Sequence, residues 1–404
     1  MSKLQKYPKY KDSGIEWIGE IPEHWRTVKI KHLLYEKKKA YNTKLRCGSI
    51  SFGKVVYKDD KKIPIETKKA YQVVERGNFL VNPLNLNYDL KSLRIALSEL
   101  DVVVSSGYIV LDTSRDIEKR YLNYLLHRFD VAFMKTLGAG VRQTLNYNDI
   151  SVCQLVEPPK NEQIQIAEYL DKKTEKIDKL ISIKEKLIKR LKEQRQIIIN
   201  NAVTKGLNPN VKMKDSGIEW IGEIPEHWEV KKLKYILNIY NGQDYKHVLS
   251  SDGYPVIGSG GEFAKASDYL YDGEAILFGR KGTIDKPLYV DCKFWTVDTM
   301  FYSVVKNNFS TRFLYYASLS IPFNYYTTST ALPSMTQHDL NNHKIPIPKK
   351  EEEQIQIAKY LDKKTAQIDK TIKLQEEQIE KLKEYKTTLI DSVVTGKVRV
   401  IQCI

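Results

Sequence analysis

Lys-Asp-Ser-Gly-Ile-Glu-Trp-Ile-Gly-Glu-Ile-Pro-Glu-His-Trp occupies Lys11 to Trp25, and the same fifteen residues recur unchanged at Lys214 to Trp228, 203 positions later. A second pair, Gln163 to Asp178 and Gln354 to Asp369, agrees at 13 of 16 positions with an offset of 191. Each half therefore runs in one order, a Trp segment, a variable stretch and a helix, and the chain is a tandem duplication. The offsets differ by 12, so the first variable stretch is longer by that much. Two copies of a binding unit on one chain can grip two sites, the second contact forming at high effective concentration. Specificity is then to be sought where the halves differ.

Residues 161–200 contain no Pro or Gly, follow Pro158-Pro159 and stop before Gly206 and Pro209; residues 351–391 follow Pro346 and Pro348 and stop before Gly396. These are helix start and stop signals. At a rise of 1.5 Å per residue each helix would span roughly 60 Å, far beyond the usual globular helix. Steps of four and three mark a seam on the first: Leu170, Thr174, Ile177, Ile181, Lys184, Ile188, Leu191, Arg195, Ile198. Adding 191 gives Leu361, Thr365, Ile368, Ile372, Gln375, Ile379, Leu382, Lys386, Leu389, matching in character at every place. Six of nine positions are apolar in each, enough for a coiled coil whose polar interruptions set register. Antiparallel pairing brings Thr174 toward Lys386, Arg195 toward Thr365 and Lys184 onto Gln375. Parallel pairing would set Arg195 beside Lys386, so the antiparallel arrangement is expected.

Short apolar or β-branched runs bounded by Gly, Asp and Ser fill the variable stretches: Val102-Val103-Val104, Tyr108 to Leu111, Ala275 to Phe278 and Thr299 to Val305. They read as strands, with helices at Arg120 to Lys135 and Thr311 to Ala317. The fold class expected is α+β: two α+β domains separated by two long helices that form an antiparallel coiled coil, with an internal pseudo-two-fold from the duplication.

The chain has 404 residues, 42% hydrophobic content and a formal charge of +15. It is long enough for several folded units. The helical segments 161–200 and 351–390 net only +2, leaving +13 on the variable stretches and their flanks. Charge placed there points to a bound polyanion. Cys47, Cys153, Cys292 and Cys403 make neither a metal-ligand spacing nor a disulfide framework. The first sixteen residues are polar and no run approaches a membrane span. A cytoplasmic protein with no membrane partner is expected.

Several strings, taken in order and twice over, resemble the specificity subunit of a type I restriction-modification system. They are Ile21 to Trp25 and Ile224 to Trp228, the steps Asp149-Ile150 and Asp339-Leu340, the Pro-rich lead into Glu-Gln-Ile-Gln-Ile-Ala, and the endings Val-Thr-Lys-Gly and Val-Thr-Gly-Lys. Val81 to Asn85 is similar to the family's first recognition domain, and Phe278 to Thr283 with Phe294 to Met300 to its second. The resemblance implies two target-recognition domains, each reading one half of a split sequence in double-stranded DNA. It gives residues 1–160 as the first such domain, 161–205 as the first spacer helix, 206–347 as the second domain, and 348–404 as the second spacer helix and tail. Two methyltransferase subunits and the restriction (translocase-nuclease) subunits are the implied partners. No cofactor is expected on this chain; S-adenosylmethionine, ATP and Mg are expected on the partner subunits, and the chain itself is expected to be non-catalytic.

A direct search for chemistry agrees with that. Asn82-Pro83 is followed by Leu84 and Asn85, not by the Pro-aromatic step an adenine methyltransferase uses to hold a flipped base. Glu66-Thr67-Lys68 after Asp59 and Asp60 could hold Mg²⁺ beside an activated water, but a charged hairpin around Lys58 to Lys62 is the simpler expectation. His338 and His343 are five apart, off a shared helix face, and with Pro346 nearby a loop is expected rather than a metal site. His24 and His227 read as structural hydrogen bonders. No Gly-x-x-x-x-Gly-Lys-Ser/Thr loop occurs. Gly258-Ser259-Gly260-Gly261 leads into Phe263 to Lys265 and fits a DNA-facing loop or a plain turn. Trp17, Trp25, Trp220 and Trp228 sit in identical copies and cannot distinguish two half-sites; they read as core anchors or as part of a methyltransferase docking surface.

Base readout needs amide, hydroxyl and guanidinium groups on loops, with Lys and Arg on phosphates. The candidates in the first domain are Asn85, Asn87, Tyr88, Lys91, Arg94, Ser105, Ser106, Arg142 and Gln143. In the second they are Ser259, Lys265, Arg280, Lys281, Thr283, Lys286 and Thr330. Unlike recognition stretches imply an asymmetric, discontinuous target, with half-site centres about one helical turn apart, roughly 10 bp. The rival readings are a coiled-coil scaffold presenting two protein-binding domains, and an autonomous DNA endonuclease.

Overall fold

The computed structural model describes residues 5–61, 63–84, 93–134, 137, 144–326 and 333–400. Its α-helices are α1 (Ile65–Lys69), α2 (Lys119–Ala132), α3 (Tyr147–Ser151), α4 (Lys160–Lys205), α5 (Thr311–Ser318), α6 (Gln337–Asn342) and α7 (Glu351–Val394). Contacts divide the chain into two units, Met1–Ile183 with Gln378–Ile404, and Lys184–Glu377. The division falls within α4 and α7, so each unit owns part of both long helices. Among the described residues no helix is long and apolar enough to cross a membrane.

In the first unit Tyr10–Asp12 pairs with Glu20–Pro22 and Arg26–Lys29 with Gln154–Glu157, both antiparallel. A four-stranded sheet runs in the order Leu34–Glu36, Ile109–Thr113, Phe79–Val81, Ile95–Leu97. Helix α2 buries Tyr121, Leu122, Leu125, Leu126 and Phe129, apolar positions recurring at helical spacing. Val102–Val104 pairs with Gln72–Val74, and Gly48–Ser51 forms a hairpin with Lys54–Tyr57. The hairpin expected around Lys58 to Lys62 is thus displaced toward the N-terminus. Its apex is Phe52-Gly53, with φ of 48° and 71°, the left-handed pair a two-residue turn needs to follow strand twist. The last residues of the unit close the core: Leu389, Val393, Val394 and Val400 are buried with Trp25, and Arg399 N donates to Gln5 O at 2.8 Å.

The second unit repeats the frame around a larger sheet. Met213–Asp215 pairs with Glu223–Pro225 and Trp228–Lys232 with Lys344–Pro348. Seven strands follow the order Leu237–Asn241, Met300–Val305, Tyr271–Gly279, Leu288–Thr296, Tyr254–Gly258, Gly261–Ala266, Leu249–Ser250. One contact in it is parallel, Val256 to Trp295 and Ile257 to Thr296.

The seam read from sequence is the buried line of the long helices. Between residues 371 and 389 of α7 only Ile372, Gln375, Ile379, Leu382, Lys386 and Leu389 escape full exposure. Pairing is antiparallel in each unit. Lys386 Nζ lies 2.7 Å from Asp178 in the first, while in the second Arg195 Nε donates to Asp369 Oδ1 at 3.0 Å and Lys184 Nζ to Gln375 Oε1 at 2.9 Å. Lys386 and Arg195 hydrogen-bond an aspartate one turn beyond the threonine they were expected to approach. The reason is that the buried threonines bond elsewhere: Tyr124 Oη lies 3.2 Å from Thr174 Oγ1 and Tyr316 Oη 3.1 Å from Thr365 Oγ1.

Candidate nucleic-acid interface

Each unit holds its long helices by a clasp made from the duplicated segment. Trp25 is fully buried and donates from Nε1 to Glu162 Oε2 at 3.1 Å, and His24 Nε2 lies 2.6 Å from the other carboxylate oxygen. In the second unit Trp228 Nε1 donates to Glu353 Oε1 at 2.9 Å and His227 Nε2 lies 2.9 Å from Glu353 Oε2. Where each long helix ends, a glycine in the left-handed region packs on the same indole. A Cβ on Gly396 would come 3.0 Å from Trp25 Cζ3 and 2.4 Å from Pro22 Cδ; one on Gly206 would come 3.3 Å from Trp228 Cζ2. His24 and His227 are thus structural hydrogen bonders, and Trp25 and Trp228 core anchors, as expected. Glu162 and Glu353 escaped the sequence reading although their offset of 191 placed them in both copies.

A second duplicated bracket ties α2 and α5 to the long helices. Arg120 Nη1 and Tyr124 Oη donate to Asp171, and Arg312 Nε and Tyr316 Oη to Asp362, at 2.7–3.0 Å. Burial, reinforced by Asp362, pushes the Tyr316 phenol up to about 12. A buried phenol so held stays a donor.

What the frames carry differs. In the second unit Val297 to Met300 is a tight turn, Met300 N donating to Val297 O at 2.9 Å. Two candidate segments hang on it, with a third, Gly242-Gln243, that the sequence reading did not name. Arg280 N and Lys281 N donate to Thr299 O at 2.8 and 3.3 Å, and the Arg280 guanidinium reaches Asp298 O at 3.4 Å and the face of Phe301. Ile257 O, at the approach to Ser259, accepts from Thr296 Oγ1 at 2.8 Å. Gly242 N donates to Met300 O and Gln243 N to Thr296 O, both at 2.9 Å. Gly282 N donates to Pro333 O, and Lys281 bridges to Ser334. The structure therefore hangs Arg280 and Lys281 on this turn and brings beside it the strand end that leads to Ser259, while Thr283 is half-buried with its carbonyl against Gly279. Arg280, Lys281 and Lys286 are exposed, and no carboxylate among the described residues lies within ion-pair distance of them. Lys265 differs, pairing with Glu262 at 2.7 Å. Thr330 lies outside the described residues.

In the first unit the equivalent turn is Ser105 to Tyr108, closed by Tyr108 N on Ser105 O at 3.2 Å and held by the buried Gln72 amide on Tyr108 O at 2.6 Å. Ser106 is exposed on it and Ser105 half-buried. Arg94 is half-buried, its backbone N–H on Asp130 and its carbonyl accepting from Asn82 N. Asn85, Asn87, Tyr88, Lys91, Arg142 and Gln143 lie outside the described residues. Their flanks meet: Leu84 bridges Thr144, and Leu145 N donates to Pro83 O.

The alternative chemistry is not assembled. Glu66 and Lys68 lie on α1, where Glu66 pairs with Lys69 and Lys68 with Asp60. His338 lies in the first turn of α6, capped by Thr336 on Asp339 N, and His343 is the residue that ends that helix, rather than both standing on the expected loop. His338 is exposed; His343 is buried, stacked on Trp220 at 5.1 Å and 2.6 Å from Tyr326 Oη. Burial pushes the His343 imidazole down to about 4, so it is neutral near pH 7. Among the described residues no group of three or more His, Cys, Asp or Glu could hold a metal ion.

Residues 225–384 match the family described as type I restriction modification DNA specificity domain. Over 95% of its length the chain is similar to 96% of the MjaX specificity subunit of a type I restriction enzyme from Methanocaldococcus jannaschii, at 25% identity. The MjaVIII specificity subunit of the same organism is 26% identical over 74% of this chain and 75% of its own. Among solved structures, a chain from a study of complex assembly and conformational transition in a type I R-M system shares the fold with a TM-score of 0.69 and 16% identity, covering 93% of this chain and 98% of that one. The HsdS subunit from Thermoanaerobacter tengcongensis shares it with a TM-score of 0.50 and 18% identity, over 93% of this chain and 98% of its own. Residues 225–384 thus carry a type I restriction modification DNA specificity domain, set in a duplicated frame, and over nearly its whole length the chain is similar to specificity subunits of type I restriction-modification systems.

Proposed function

We propose that this subunit reads a two-part, asymmetric target in double-stranded DNA, residues 1–160 serving as the first target-recognition domain and 206–347 as the second. The first spacer helix, 161–205, and the second with its C-terminal tail, 348–404, leave an unread stretch between the half-sites. Two methyltransferase subunits and the restriction subunits assemble on it, in the cytoplasm. The observation that carries this reading is the contrast between frame and cargo. The Trp–Glu clasp and the Arg–Asp–Tyr bracket repeat residue for residue, while a four-stranded sheet occupies one frame and a seven-stranded sheet the other. Identical frames suit identical partners docking twice; unlike cargo suits unlike half-sites. The exposed cations around Val297 to Met300 supply phosphate contacts.

The test is to co-express the chain with the methyltransferase subunit of its system in a host lacking DNA methylation and to map modified adenines across the genome. A two-part motif with an unread spacer is expected. A stable complex with an active methyltransferase and no such motif would return the chain to the role of a protein scaffold.

A further inference from the structure

The duplication allows the two frames to be subtracted from each other. The copies stay in step beyond the second tryptophan. Ile30 N donates to Cys153 O as Leu233 N does to His343 O, and Ser114 N to Leu33 O as Lys306 N does to Ile236 O. At the offset of 203, Lys39-Ala40 therefore stands where the second unit has Gly242-Gln243. The strand that leads to Arg280 can be aligned in the same way. Met335 N donates to Arg280 O and Lys281 bridges Ser334; Leu145 N donates to Pro83 O and Leu84 bridges Thr144. Arg280 thus stands where the first unit has Pro83. At two equivalent places on one turn, the second unit carries an amide and a guanidinium, and the first a methyl and a pyrrolidine ring.

Gln243 is held as a reading residue must be. Its N–H is bound to Thr296 O at 2.9 Å and its carbonyl accepts from Trp295 Nε1 at 3.1 Å, so both backbone groups are fixed. The residue before it can only be glycine, because a Cβ on Gly242 would lie 2.1 Å from Val297 O. On the far side Lys246 N on Asp244 Oδ1, at 3.1 Å, pins the next turn. The side chain itself is exposed, and none of the described residues is shown hydrogen-bonding its amide. The anchored backbone keeps its own share of the ordering cost out of the binding step, while the exposed amide, unbonded among the described residues, keeps its donor and its acceptor for a base. A glutamine amide donates to N7 and accepts from the N6 amino group of adenine; an arginine does the matching work on guanine.

We infer that Gln243 reads an adenine in the half-site of the second domain, acting from the same turn as Arg280. This rests on the two-part recognition proposed above and adds to it a named residue and a named base. The first domain, with Ala40 and Pro83 at these places, reads by other elements, which is one physical source of the target's asymmetry.

The test uses the subunit co-expressed with its methyltransferase, comparing wild type with Gln243→Ala and Gln243→Glu by mapping methylated adenines. One position of the second half-site should lose its preference for adenine, by about 5- to 150-fold, the discrimination of a bidentate contact. The first half-site and the spacer should not change. Gln243→Glu, which keeps the acceptor and loses the donor to N7, should also relax that position. Thermal melting of both variants should match wild type, since no partner of the amide is removed. An unchanged motif, a change in the first half-site, or a uniform loss of methylation with a shallower salt dependence would overturn the assignment, the last by making Gln243 a phosphate contact. A wild-type complex without any two-part motif would instead overturn the recognition proposal itself.

Discussion

Lys184 and Gln375, the same place in the two copies of the helix seam, hydrogen-bond to each other from Nζ to Oε1 at 2.9 Å. Equivalent positions meet in this way only when the two helices run antiparallel. Gln375→Lys would set two ammonium groups against each other on a half-buried seam, with an expected loss of about 1 kcal/mol. Lys184→Gln in the same chain should restore it. Equal midpoints of urea denaturation for the single and double variants would remove this pair from the account of register.

The clasp should be worth more. Glu162 accepts from Trp25 Nε1, from Tyr7 Oη at 2.9 Å and interacts with His24. Glu162→Leu leaves a buried indole N–H without an acceptor, an expected cost of about 1–3 kcal/mol. Glu353→Leu should cost a similar amount in the other unit, and the two losses should add, having no shared partner. Tryptophan fluorescence during denaturation reports both; a silent Glu162→Leu would show that the carboxylate only fills space.

His343 should make stability depend on pH. Its folded value is pushed down to about 4 by burial, below the value near 6.5 of a free imidazole. The stabilisation is therefore fully present above about pH 6.5 and is lost as pH falls from there toward 4, the unfolded chain taking up its proton first. The loss amounts to no more than about 3 kcal/mol. His343→Phe, keeping the stack on Trp220, should reduce the slope in that window, the remainder staying with His127, which burial also pushes down to about 4. An unchanged slope would mean that other groups carry the acid dependence.

Arg280→Ala separates two roles. As a base reader it should relax one position of one half-site by about 1–3 kcal/mol, leaving the slope of log affinity against log salt nearly constant; as a phosphate contact it should weaken all sequences and reduce that slope by about one. Titrations of the methyltransferase complex on duplexes differing at single positions decide between them.

The seam and the tryptophan and histidine side of the clasp were legible in the sequence because duplication repeats them. Leu170 and Leu361 share their spacing with partners of like character, and Trp25 and Trp228 stand in identical strings. Helix-breaking residues marked the long helices, though α4 runs on to Lys205 and α7 to Val394, their last apolar residues packing on the indoles. The order of the seven-stranded sheet was not legible. Its parallel contact between Val256 and Trp295 joins strands nearly forty residues apart, and alternation along a strand says which face is buried, not which neighbour lies beside it. Gln243 also stayed hidden, since an exposed glutamine carries no signal until its backbone bonds are known. His338 was expected on a loop because Pro346 lies nearby, whereas the Thr336 cap on Asp339 N decides the local structure in favour of a helix.

The first unit is built from both ends of the sequence, its core closed by Leu389, Val393, Val394 and Val400, whereas the second is one unbroken stretch. During synthesis the second unit has all its residues once Glu377 has been added. The first must wait, with Trp25 and its neighbours lacking their cover, until the final turns of α7 leave the ribosome. Domains made early generally fold early; here the segment made first is completed last. A ribosome that stops short of Gly396 would release a chain whose second unit is whole and whose first has an open apolar core. Such a chain would be a target for chaperones and proteases, so a closed first unit becomes a property of chains that were translated through to the end of α7.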